Sequence, residues 1–456
     1  MSNTHHAQKR VVFIGAAGGV CQVAVKCFAA ASTVPLVLSD INTAVLDSLQ
    51  AELPSGRATT LKLDLFDPVA LRDAIKGAGL VVLGAGPYMR TAEPVIKGCI
   101  EAKIPYLDFD DDVESTQVSL DLHETAKEAG IPCFINCGAS PGMTNVMALD
   151  VAKELDSIDV LDICWLTGHG GFYAGKAVLE HLLHIAAGPC LTWENGRPTV
   201  HETFLETTYV PMVGSAGEQP LHETAHPEPI TLVRAFPKAN RIRCMGGLDP
   251  PLKMGIARGL ATAHRRGDIT IEDAVEFYDR LRSDQIASKD WVQVLLGSNP
   301  GLLAGPLSAA GLWQRATNVG RSLGPMFYAL TGVFEQIWKG EVTMSQLVNF
   351  VRQASKGETV PYKGALLVRA TGTHNGHPAV AIKRTPTCGE GSGLFRSVSH
   401  VTGVACAAFM VLALEDSDKT RSGVFAPEDW VEPQVFYKML EQVGVPSHDI
   451  IESPTS

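Results

Sequence analysis

The chain has 456 residues, 45% apolar and 19% charged, the balance of a globular protein long enough to bury more than one core. Its 49 acidic against 38 basic residues leave a formal charge of -11, and with no basic run this argues against nucleic acid or a membrane surface as partner. No uninterrupted apolar run approaches the ~20 residues of a membrane span. The polar start through Arg10 does not read as a signal peptide, and ten scattered cysteines without a CxxC pair imply reduced thiols, no metal site and a cytoplasmic setting.

In chain order, Val11–Gly15 reads as a strand followed by a helix through Val20–Ala30, and Leu36–Ser39 as a second strand followed by a helix at Ala44–Ala51. Further strands are expected at Thr59–Leu63, Leu80–Leu83, Tyr106–Phe109 and Cys133–Ile135, each separated by a helical pattern. That alternation implies a doubly wound parallel sheet, a Rossmann domain over residues 1–142. The rhythm then changes. Val160–Leu166, Ile230–Arg234 and Arg241–Met245 read as strands and Lys176–Ala186 as a helix. Two hairpins turn at Asn195-Gly196 and Asn375-Gly376, the second pairing Ala365–Thr371 with Ala379–Arg384. Helices fill roughly 253–355, with a break at Gly297–Pro306. Residues 143–390 therefore form an α+β domain suited to substrate binding and dimerisation. Residues 391–456, including a helix near Arg396–Leu414, return to the first domain. The fold class is α/β overall.

Gly15-Ala16-Ala17-Gly18-Gly19-Val20-Cys21 joins the first strand to the first helix. Small residues here let the backbone approach a pyrophosphate, which rests on the N–H groups of the helix start. The pattern departs from GxGxxG, reading as GxxGxx with Cys21 in the third place. Gly15, Ala17, Gly18, Gly19 and Val20 are the candidate cofactor contacts. Asp40, ending the second strand, can bind a ribose 2′-hydroxyl and repel a 2′-phosphate, which favours NAD over NADP. Asp64 is placed near the adenine, or alternatively caps the helix at Pro68. Gly84, Gly86 and Pro87 lie at the carboxyl edge of the sheet, where Tyr88 can meet the substrate.

The stretches Gly84–Arg90, Ala102–Asp112 and Cys137–Asn145, with Thr402-Gly403 and Gly423–Glu428 further on, resemble the saccharopine dehydrogenase-like (saccharopine reductase) family. The resemblance implies a Rossmann domain, a mixed α/β substrate domain and a homodimer. It further implies hydride transfer at C–N bonds of amino acids or polyamines through an imine. Saccharopine-forming members generally prefer NADP, and Asp40 speaks for NAD here. The segment Gly168–Tyr173 matches no pattern tied to a particular substrate.

Oxidation of an amine needs a group that exchanges protons with the nitrogen and then with water. Asp110, His169 and His400 are the candidates, although Asp110 could instead cap the helix near Glu114 and His169 could be a surface histidine. Asp108, Gly138 and Asn145 sit on loops expected near the nicotinamide. Arg234, Arg243 and Lys253 could hold a substrate carboxylate, and Thr402 is a further substrate contact. His181 and His184 share a helical face but lack a nearby ligand partner in sequence, so they read as structural, as do His374 and His377 around a turn. A Tyr-x-x-x-Lys pair is absent, which weakens an alcohol dehydrogenase reading; Tyr173 and Lys176 are one residue too close. An opine-type condensation would use the same site in reverse. The remaining alternative is a catalytically silent NAD-binding sensor or scaffold.

Overall fold

The computed structural model describes residues 10–168, 176–203, 207–212, 218–281, 309–356, 362–416, 418 and 420–453. Its first sheet contains β1 (Val11–Ile14), β2 (Leu36–Asp40), β3 (Ala58–Lys62), β4 (Leu80–Leu83), β5 (Tyr106–Asp108) and β6 (Pro132–Phe134). Between them lie α1 (Gly19–Ala31), α2 (Thr43–Ala51), α3 (Pro68–Ile75), α4 (Tyr88–Ala102), α5 (Val113–Asp121) and α6 (His123–Ala129). β1 and β4 are buried along their whole length, as expected for strands covered by helices on both faces. The strands run parallel in the order β3-β2-β1-β4-β5-β6, so the order reverses between β1 and β4 and opens a crevice at their carboxyl ends.

α7 (Met143–Ala152) leads into the second sheet, made of β7 (Ser157–Gly168), β8 (Pro189–Glu194), β9 (Arg197–Glu202), β10 (Thr207–Pro211), β11 (Glu218–Glu223), β12 (Arg241–Asp249), β13 (Gly364–His374) and β14 (His377–Arg384). Its helices are α8 (Lys176–Ile185), α9 (Glu228–Leu232), α10 (Leu252–Arg265), α11 (Ile271–Arg280), α12 (Ala309–Trp338) and α13 (Met344–Lys356). The strand order is β10-β11-β12-β7-β13-β14, with β8 and β9 branching from β12. β7 and β12 are parallel and the other neighbours antiparallel. Side chains alternate along β7. Leu161 and Ile163 join the core shared with the first sheet, whereas Cys164 and Leu166 join a separate cluster on the opposite face.

Both hairpins turn where expected, with Asn195, Gly196, Asn375 and Gly376 all at positive φ. Ile230–Arg234 is a correction. It falls on the helix α9 and its exit, because Pro227 and Pro229 remove ladder donors and favour a first helical turn. β10 and β11 were not legible from their composition, and the expected break at 297–306 lies outside the described residues. α14 (Val398–Glu415) packs against α1, and β15 (Gly423–Phe425) joins β6 in parallel as a seventh strand of the first sheet. α15 (Pro433–Gln442) then packs against α14. By length and composition α14 could cross a membrane, although polar residues interrupt its apolar run, and 61% of it is buried inside the fold.

Candidate active site

At the switch between β1 and β4, Gly15 adopts φ +86°, and a Cβ there would come within 2.5 Å of the Ala85 nitrogen. Only glycine permits these two loops to meet. Gly18 is the residue before α1 and supplies no side-chain cap, so the N–H groups of the first helical turn keep no side-chain partner. Gly18, Gly19 and Val20 line a cavity of about 310 Å³. That uncapped helix start, opening on a cavity, fits the pyrophosphate of a dinucleotide. Cys21 adds a neutral thiol, since burial raises its pKa, and it donates to the Gly84 carbonyl at 3.3 Å. Asp40 accepts from Ala17 N–H at 3.2 Å and Asn42 N–H at 2.9 Å, linking the end of β2 to the Gly-rich turn.

Gly84, Gly86, Pro87, Tyr88, Gly138 and Thr402 also line the cavity. Tyr88 turns its hydroxyl back to the Leu83 carbonyl at 3.5 Å. Gly15, Ala17 and Asp40 border the same turn without lining the cavity. Asp64 is exposed and accepts from Phe66 N–H at 3.0 Å, while the cap of α3 is Asp67, which corrects the alternative reading of Asp64.

The acidic run Asp108–Asp112 divides into two pairs. Asp108 is buried away from the cavity and accepts from Asn136 N–H at 2.8 Å and Asp110 N–H at 3.1 Å. Burial raises its pKa to about 6 against these bonds. Asp110 is likewise buried and accepts from Asp112 N–H at 2.9 Å and from the Ser115 hydroxyl. Burial, then the neighbouring Asp108 and Asp112, raise its pKa well above normal. Asp108 Oδ1 and both oxygens of Asp110 brace β5 and the turn into α5. Neither faces the cavity, so the structure does not place Asp110 where it could exchange a substrate proton.

Asp111 and Asp112 do face the cavity, and they meet His181 from α8. His181 Nδ1 lies 2.8 Å from Asp112 Oδ1, and its Nε2 lies 3.4 Å from Asp111 Oδ2. Burial alone would lower the imidazole pKa, but Asp111, Asp112 and Glu114 together push it up to about 9. The reciprocal effect holds Asp112 below its usual range despite burial. His181 Nε2 is buried without a hydrogen bond among the described residues. The expectation that His181 lacks a nearby ligand partner is therefore corrected, because its partners come from the other domain. His184 on the same helix pairs with Glu114 at 3.4 Å.

His226 meets His181 edge to face and Trp165 at a tilt, with ring centroids 5.7 and 5.6 Å apart. Its Nδ1 lies 3.3 Å from Glu228, a fully buried carboxylate that also accepts from Ser140 at 2.5 Å and Thr144 at 3.3 Å. Burial would raise the Glu228 pKa, but His226 and Ser140 bring it below normal. Neither His226 nor Glu228 carries a motif in sequence that marks it.

Several expected residues sit elsewhere. Asn145 is buried, its Oδ1 accepting from Gly142 N–H at 2.9 Å and its Nδ2 donating to Glu428 at 2.8 Å and Thr231 at 3.2 Å. It locks the Gly138–Asn145 loop to the C-terminal return, both of its amide donors are spent there, and it does not line the cavity. Arg234 is paired with Asp429 at 2.7 Å. Arg243 pairs with Asp162 at 2.5 Å, and Arg369 reaches the same carboxylate at 2.7 Å, on the sheet face turned from the first domain. Lys253 is buried on α10, where its charge acts on Asp249. His400 uses Nδ1–H to bond the Leu394 carbonyl at 2.8 Å and does not line the cavity. His169 lies outside the described residues.

This arrangement defines a Rossmann-type dinucleotide-binding protein whose second sheet domain walls the far side of the cofactor crevice. Residues 11–134 match the family model described as the saccharopine dehydrogenase NADP binding domain. Carboxyaminopropylagmatine dehydrogenase of Synechocystis sp. is 30% identical over 179 residues, 36% of this chain and 44% of that protein, so the chain matches less than half of that relative's length. Apo saccharopine dehydrogenase (L-Glu forming) from Saccharomyces cerevisiae superposes with a TM-score of 0.58 at 14% identity, covering 98% of this chain and 100% of the other, which establishes a shared fold. Residues 11–134 thus carry that family's nucleotide-binding domain, and the chain as a whole shares the fold of saccharopine dehydrogenase.

Proposed function

We propose that this protein is a nicotinamide-dinucleotide-dependent oxidoreductase that makes or breaks a C–N bond of an amino acid or amine. The observation that carries the reading is His181, whose bonded Nδ1 and unbonded Nε2 meet the same cavity as the Gly-rich turn. The helix start at Gly18–Val20 would hold the pyrophosphate and Asp40 the ribose; bound there, the nicotinamide would exchange a hydride with the substrate carbon. Asp112 fixes the ring through Nδ1, leaving Nε2 to give or take the proton of the substrate nitrogen. Asp111 supplies negative charge beside it for a substrate ammonium. The apolar walls exclude water, which strengthens each of these charges.

Asp40 favours NAD, since its carboxylate would repel a 2′-phosphate. A preference for NADP is the second reading, supported by the description of the matching domain and by Lys62, which pairs in register with Asp40 across β2 and β3. Initial rates with both cofactors, followed at the reduced-nicotinamide band over a panel of amino acids, amines and their carbonyl counterparts, test the proposal. His181→Gln is expected to lower kcat by about 10²-fold or more. An unchanged kcat would remove His181 from the chemistry, and tight cofactor binding without turnover would indicate the sensor. Asp40→Asn should shift the cofactor ratio toward NADP and Lys62→Ala toward NAD.

A further inference from the structure

The cavity wall supplied by the second domain is formed by Trp165, Leu179, Leu182, Ile185, Leu248 and Tyr278. Among the described residues that line the cavity, the titratable polar groups besides Cys21 and the two tyrosines are Asp111, Asp112, His181 and His226; none is Lys or Arg. Arginines that could have gripped a substrate carboxylate are committed elsewhere, Arg234 to Asp429, Arg243 and Arg369 to Asp162, and Arg90 to Glu180. Lys176, beside the lining residue Ala177, is exposed. A dicarboxylic amino acid would therefore bring two negative charges against Asp111 and Asp112, with the shared His181 cation as counter-charge. Leaving a carboxylate poorly paired in such surroundings is unfavourable.

Two neutral donors complete the wall. Trp165 Nε1–H and the Tyr278 hydroxyl are buried with no hydrogen-bond partner among the described residues. Buried donors left unmade cost free energy, so a ligand that offers them an oxygen regains it. From this lining we infer that the substrate is an amine on a bulky apolar body, carrying a neutral acceptor such as a carbonyl and no second carboxylate. The inference rests on the C–N oxidoreductase reading above. The ammonium faces Asp111, the apolar body fills the space between Leu182, Ile185 and Leu248, and the neutral oxygen meets Trp165 and Tyr278.

The test uses the full chain with its preferred cofactor and compares phenylalaninamide and 2-phenylethylamine with glutamate and 2-aminoadipate. The apolar amines are expected to show kcat/KM about tenfold higher or more, as one well-fitted apolar group contributes. Tyr278→Phe should weaken phenylalaninamide by about fivefold to tenfold and leave 2-phenylethylamine unchanged. Leu182→Arg should move the preference toward 2-aminoadipate. A preference of the native protein for the dicarboxylates overturns the inference and leaves the C–N reading standing. If no amine is turned over, that reading falls and thermal shift decides the ligand class. Stabilisation by phenylalaninamide but not by glutarate then supports the inference; stabilisation by glutarate, or by neither, overturns it.

Discussion

Gly142 has φ +128°, and a Cβ built on it would lie 2.0 Å from the Gly138 carbonyl oxygen. No side chain fits there. Gly142→Ala is expected to destabilise the protein by about 2–4 kcal/mol and to open the loop carrying Gly138 and Ser140 into the cavity. Chemical denaturation and cofactor titration would check the two effects, and a loss of stability under 1 kcal/mol would show that the loop can relax. At this scale the Gly-rich turn itself was legible. Gly15, Gly18 and Asp40 announce themselves because the turn, the helix start and the strand end all fall within one short βαβ unit. Thr402, which lines the cavity, was named through resemblance and has no local signal of its own. His181 was passed over because its carboxylate partners lie far away in sequence, on the very acidic run singled out for Asp110. Charge alone could not say which aspartates turn inward and which face the cavity.

At the scale of elements, the Gly138–Asn145 loop, α9 and the C-terminal return are fastened through Asn145 to Thr231 and Glu428. Burial, with the adjacent Asp429, raises the Glu428 pKa to about 7 from its ordinary 4.5. The native protein therefore keeps a proton that the unfolded chain releases, and stability falls as pH rises from about 4.5 through 7. Glu428→Gln retains an acceptor for Asn145 and removes the charge. It should flatten that part of the profile and raise Tm by about 2 °C at pH 8, which differential scanning calorimetry over a pH series would register. A lower Tm at pH 8 would show instead that the charge on Glu428 is needed by Arg234. Helix and strand alternation made the first sheet readable, and the two Asn-Gly turns did the same for β8–β9 and β13–β14. α9 was misread because its β-branched residues outweighed two flanking prolines. β10 and β11 were missed because neither carries an alternating pattern.

Across the whole molecule, one of the contacts that join the domains is that of His181 on α8 with Asp112, just before α5. Its folded pKa of about 9 lies above the ordinary 6.5, so the contact contributes fully below about 6.5 and fades as pH rises through 9. Native protein should lose about 1–3 kcal/mol over that window relative to His181→Gln. Parallel urea titrations at pH 6 and 10 would measure it, and equal losses in both proteins would place the coupling elsewhere. The shared core between the sheets was not predictable, since alternation on β7 says that one face is buried without naming what covers it.

β6 ends at Phe134, whereas its parallel neighbour β15 begins only at Gly423. During synthesis the nucleotide-binding sheet thus emerges with an open edge and waits for nearly the whole of the second domain before it is closed. An uncovered parallel edge invites pairing with other chains. Ribosomes stalled or terminated within the second domain would release a product that is sticky at one defined strand, and a short peptide spanning Gly423–Phe425 with its flanks could be supplied in trans to seal it.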